Sequence, residues 1–110
     1  MAGSSAVKSS GQNSADGLRV EWTLRALDDA LLMRDFIAAR WSVREVDRFL
    51  DMLAAFERHV IRFPHGYPPS IGYPGCRRAR IHENASVVYE VVPGKVRVLA
   101  VIDNRSSRPR

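Results

Sequence analysis

The chain has a single cysteine, Cys76, among 110 residues, so no internal disulfide can form, and a lone thiol fits a reducing, cytoplasmic setting. Long apolar runs are also missing: none approaches the roughly 18 residues that a membrane span needs, so no membrane partner is expected. There is no Gly-rich phosphate loop, no helix-turn-helix cue and no zinc spacing. His59, His65 and His82 are not at ligand intervals, and one cysteine does not complete a set. No metal or cofactor is therefore expected. Residues 1–17 are rich in Ser, Gly and Ala and lack the apolar core of a secretory signal, which makes them an expected disordered lead-in. Residues 106–110 read as a flexible basic tail.

What is present is polarised in charge. The first 63 residues hold nine cationic and nine acidic side chains. From Pro64 onward, Arg77, Arg78, Arg80, Lys95, Arg97, Arg105, Arg108 and Arg110 face only Glu83, Glu90 and Asp103, so the whole net charge of +5 falls in the last third. A field divided in this way draws an acidic partner to one surface.

The hydrophobic pattern supplies the order of elements. Leu18 to Trp22 alternates apolar and charged residues as a half-buried strand does. Thr23 can cap a helix to about Arg40, whose apolar positions Leu24, Leu27, Leu31, Met33, Phe36 and Ile37 predict a core-facing stripe. Ser42 and Glu45 have capping-box spacing and open a second helix to about Val60, with Val46, Phe49, Leu50, Leu53, Phe56 and Val60 as its stripe. So short a link makes the two helices an antiparallel hairpin. Phe63 to Gly75 carries too much Pro and Gly for helix or central strand, so it is a structured loop. Arg77–Glu83, Ser86–Val92 and Val96–Ile102 have strand lengths, and Pro93-Gly94 marks a turn between the last two. The last run is apolar on both faces after Arg97, which predicts a central strand, with Leu18–Trp22 along its free edge. The expected fold class is α+β: an N-terminal strand, an antiparallel helical hairpin, then a three-stranded antiparallel meander, with the helices on one face.

This order, together with Val20-Glu21-Trp22-Thr23, Asp28-Asp29, Tyr67-Pro68-Pro69-Ser70, Pro74-Gly75 before Arg77-Arg78, Val88-Tyr89-Glu90-Val91, and Val96-Arg97-Val98-Leu99 leading to Asp103-Asn104-Arg105, resembles the RelE/ParE superfamily of toxins from type II toxin-antitoxin systems. The likeness covers Leu18 to Pro109, with the toxin domain placed at residues 18–105. The resemblance implies one of two activities. RelE-like members are ribosome-dependent mRNA endonucleases, and ParE-like members inhibit DNA gyrase by binding.

Cleaving RNA through its 2′-hydroxyl needs a proton acceptor, a proton donor and cations held against the phosphate. RelE-like enzymes carry an Arg before the middle-strand Val-Tyr pair, where this chain has Ser86, and place acid/base residues late in the chain. After Ile102 there is no His, Tyr or Glu. The remaining nuclease candidates are His82 and Glu83, with Arg80 or Arg105 as clamp, and Tyr89. Because His82 and Glu83 are adjacent, a regular strand would point them to opposite faces. The reading therefore leans to the ParE-like branch with no catalytic residue. Target or antitoxin binding is assigned to Arg77, Arg78, Arg80, Arg97 and Arg105, with Arg78 and Arg80 sharing a face.

A second partner is implied by the resemblance: a cognate antitoxin with a flexible, acidic C-terminal segment that wraps the hairpin and sheet. Outside the toxin class, the basic charge alone would suit a nucleic-acid-binding module, marked by salt-sensitive binding to naked duplex with no effect on growth.

Overall fold

A computed structural model describes residues 17–104. The expected lead-in apart from Gly17, the expected basic tail, and the candidate binding residue Arg105 lie outside them. The element order is β1 (Arg19–Trp22), α1 (Leu24–Arg40), α2 (Val43–Val60), β2 (Arg77–His82), β3 (Ala85–Val92) and β4 (Lys95–Asp103). The strands form one sheet in the order β1-β4-β3-β2, so β4 is central, as its two apolar faces predict. β1 runs parallel to β4, and β4, β3 and β2 form an antiparallel meander.

Both helices start where the sequence places their caps. The Thr23 hydroxyl accepts from the Ala26 N–H at 3.1 Å, and the Ser42 hydroxyl accepts from the Glu45 N–H at 3.2 Å. The Pro93-Gly94 turn joins β3 to β4, with Gly94 at φ 81°, a left-handed conformation that glycine adopts without a Cβ clash.

The core lies between the hairpin and one sheet face, where Ala26, Met33, Ile37, Phe49, Phe56 and Val60 meet Ala79, Ile81, Val87, Tyr89, Val96 and Val98. The expected α1 stripe needs a correction. Met33 and Ile37 are buried and Phe36 is half-buried, but Leu24 is 81% exposed and Leu27 and Leu31 are exposed as well. Ala26 takes the inward position instead, its small side chain suiting close approach of the helix to the sheet. On α2, Leu50 likewise faces outward. The hairpin thus keeps apolar surface that none of the described residues covers.

The register shifts between Val88 and Tyr89 where β3 pairs with β4. Near this irregularity the Val101 N–H donates to the Asp29 carboxylate of α1 at 3.1 Å, a side chain standing in for a backbone acceptor. The loop after α2 reaches both sheet faces. Tyr67 packs with the main core, while Tyr73, like Leu99 and Ile102, packs against the cluster of Cys76, Val88 and Ala100 on the opposite face. Its Pro68 carbonyl accepts from the Arg78 N–H at 2.9 Å, which ties the loop to the outer edge of β2.

Candidate functional site

Alternation along β2 sends Ala79 and Ile81 into the core and leaves Arg78 and Arg80 on the other side. Arg78 and Arg80 line an open depression of about 710 Å³ together with Tyr67, Pro68, Pro69, Ile71, Glu83, Ser86 and Asn104. One wall is the Tyr-Pro-Pro-Ser loop, held by the Pro68 bond to β2. The floor is Ser86, fully buried on β3, its hydroxyl donating to the Asn104 side-chain oxygen. Arg78 Nη2 donates to that same oxygen at 2.9 Å. Arg80 is exposed, with Nη2 3.5 Å from the Glu83 carbonyl.

Arg77 takes the opposite side, donating from Nη1 to the Tyr67 carbonyl at 2.7 Å. Arg97 does not join the cluster. It holds Glu21 on β1 at 3.3 Å and Glu90 on β3 at 3.0 Å, while Lys95 also pairs with Glu21 at 3.0 Å. Glu90 is four residues along β3 from Ser86, so the Arg97 group lies about 13 Å along the strand from the Arg80 level. Contacts with Lys95, then Arg97, hold the Glu21 carboxyl below its ordinary range. Among the described residues the basic cluster is therefore Arg78 and Arg80, with Arg77 behind them.

His82 and Glu83 depart from simple alternation. The register slips between Arg80 and His82, and β2 ends there, so Glu83 belongs to a turn. The ligand atoms of Glu45, His82 and Glu83 come within 4.8 Å of one another. His82 is buried edge-on to Phe49, with ring centroids 6.0 Å apart. Its Nδ1 accepts from the Asn84 N–H at 3.1 Å, which places the ring proton on Nε2, 2.8 Å from Glu45 Oε2. Both nitrogens are thus engaged internally. Glu45, whose N–H completes half of the expected capping box, sends its carboxylate to His82 and Arg48. These two contacts, His82 first, lower its pKa. Arg48 lies 2.7 Å from Glu45 and 3.9 Å from Glu83, so the acidic group already has a cation.

Tyr89 lies wholly in the core between Phe56 and Tyr67, and its hydroxyl donates to the Pro64 carbonyl at 2.6 Å. Burial pushes its pKa up to about 12. Sequence reasoning did not single out two residues at this end of the sheet. Asn104 appeared only within a terminal motif, yet it joins three segments. His59 lines a second, smaller depression of about 380 Å³ with Tyr67 and Arg80, its ring 5.6 Å from that of Tyr67. Neither stands out from spacing, because both act through chain segments distant in sequence.

A four-stranded sheet carrying a helical hairpin on one face is an architecture shared with solved toxin structures. A chromosomal ParDE toxin-antitoxin protein from P. aeruginosa superposes with a TM-score of 0.62 at 15% identity, covering 78% of this chain and 95% of that one. A YoeB/ParE toxin from Agrobacterium tumefaciens gives 0.55 at 19% identity, covering 79% and 99%. A chain of the E. coli DinJ-YafQ toxin-antitoxin complex gives 0.50 at 13%, covering 84% and 98%. A search of curated protein sequences finds no match. Residues 20–107 match the family described as ParE toxin of type II toxin-antitoxin system, parDE, and the chain belongs to that family.

Proposed function

We propose that this toxin acts by binding rather than by catalysis, and that its target is DNA gyrase. The observation that carries the reading is the state of the would-be nuclease groups. Both His82 nitrogens and the Tyr89 hydroxyl are committed to internal hydrogen bonds, while Arg78 and Arg80 border an open depression. Glu83 offers one carboxylate there, but general acid–base cleavage needs a partnered donor within reach of the same phosphate. Ser86, where RelE-like enzymes carry Arg, is buried beneath Arg78 and Asn104. A pair of guanidinium groups beside a proline-rich wall suits carboxylates of a protein or phosphates of its bound DNA.

The same reading includes a cognate antitoxin. Leu24, Leu27, Leu31 and Leu50 leave the hairpin with apolar surface that calls for a cover, and an acidic disordered segment folding onto it gains both apolar burial and charge pairing with the basic sheet edge.

One observation favours ribosome-dependent mRNA cleavage instead: His59 is exposed and shares its depression with Arg80. Pulse labelling of DNA, RNA and protein synthesis just after induction without antitoxin separates the two. Early loss of DNA synthesis alone is expected. Early loss of protein synthesis overturns the gyrase reading and makes His59, with Glu83, the first nuclease candidate.

A further inference from the structure

We infer that Asn104 is the positioning residue of the binding site, holding the Arg78 guanidinium in a preset orientation on the depression floor. The inference rests on the binding reading for its consequence, but its geometry stands without a target. Asn104 follows the last residue of β4, and its N–H donates to the Asn84 carbonyl at 3.0 Å, which ties it to the β2–β3 turn. Its side-chain nitrogen donates to the carbonyls of His82 and Glu83, each at 3.0 Å. Its side-chain oxygen accepts from Ser86 and from Arg78.

This pattern fixes the amide in one orientation. Both groups facing the nitrogen are carbonyls, and Arg78, facing the oxygen, can only donate, so a flip would place like against like three times, with the Ser86 hydroxyl alone able to exchange roles. Arg78 pairs across from Val88, whereas Asn104 lies beyond the Ser86 level. The Arg78 side chain therefore runs at least two residues, about 7 Å, along the sheet to reach its acceptor. A long flexible side chain laid flat in this way has given up rotamer freedom before any partner arrives. Among the described residues Arg80 has only a long contact, at 3.5 Å, with the Glu83 carbonyl. The two arginines thus divide the work: Arg78 is preset and Arg80 adapts.

The test has two readouts. In the free protein, side-chain nitrogen relaxation by NMR should find Arg78 Nε as ordered as the backbone and Arg80 Nε more mobile. Asn104→Ala should release Arg78, and Asn104→Asp, which keeps the acceptor, should restore its order even though the turn contacts are lost. Equal mobility of Arg78 in wild type and Asn104→Ala overturns the inference whether or not gyrase is the target. For binding to purified gyrase, Asn104→Ala should weaken affinity about three- to tenfold, the cost of ordering one long side chain. In an Arg78→Ala background the same change should cost nothing further. An equal loss in both backgrounds makes Asn104 merely structural. Failure of the wild-type protein to bind gyrase removes the target reading, while the relaxation result still decides the positioning role.

Discussion

Replacing His82 separates a structural histidine from a catalytic one. In His82→Ala the Asn84 N–H loses its acceptor inside the fold, and the Phe49 ring loses its edge contact. An unsatisfied buried donor costs about 1–3 kcal/mol, and the vacated ring space adds to it, for a total of roughly 2–4 kcal/mol. Glu45 is less affected, because Arg48 remains 2.7 Å away. For a domain of this size each kcal/mol lowers Tm by about 4–8 °C, so the expected drop is roughly 10–30 °C. His82→Asn can place its side-chain oxygen near the position of Nδ1 and accept from Asn84, so it should recover part of the loss. Thermal unfolding followed by circular dichroism reads both variants. Inhibition of DNA synthesis, measured where each variant is folded, should match wild type. A Tm within about 2 °C of wild type, combined with loss of toxicity, would refute the structural assignment.

Other expectations follow from the same geometry. Tyr89→Phe removes the hydroxyl bonded to Pro64 and should cost about 1 kcal/mol of stability while leaving toxicity intact, as read by unfolding and growth assays. Arg78→Ala and Arg80→Ala should each weaken target inhibition by about tenfold, near 1.4 kcal/mol, whereas Arg97→Ala, whose group serves Glu21 and Glu90, should leave it unchanged in the same titration. Glu45 and Glu21 both have pKa values lowered in the fold, so each adds stability that is full above the ordinary carboxylate value and fades as pH falls through the depressed one. Denaturant midpoints should therefore drop on acidification below about pH 4.5, and Glu45→Gln should flatten that slope.

The elements were legible because their signals are local. Thr23 and Ser42 mark helix starts, Pro93-Gly94 marks a turn, and the apolar run after Arg97 marks the centre of the sheet. What failed to show depends on residues far apart in the chain. Periodicity placed Leu24, Leu27 and Leu31 on one stripe, but it cannot tell whether the stripe faces this chain's sheet or another molecule; Ala26 took the inner position. Arg97 looked like part of a basic cluster because its partners, Glu21 and Glu90, are brought to it only by the strand register. Glu45 read as a capping residue, and its bond to His82 spans 37 positions. Asn104 was passed over for its neighbours in the Asp-Asn-Arg motif, although its amide ties β2, the turn, β3 and β4 together at the site.

The central claim, inhibition of gyrase by binding through the Arg78–Arg80 depression, is tested most directly by supercoiling assays with purified toxin and purified gyrase, run beside translating ribosomes programmed with mRNA. The account predicts that wild-type protein blocks supercoiling, that Arg78→Ala/Arg80→Ala does not at the same concentration, and that the mRNA stays whole. Cut mRNA with unimpaired supercoiling would contradict it.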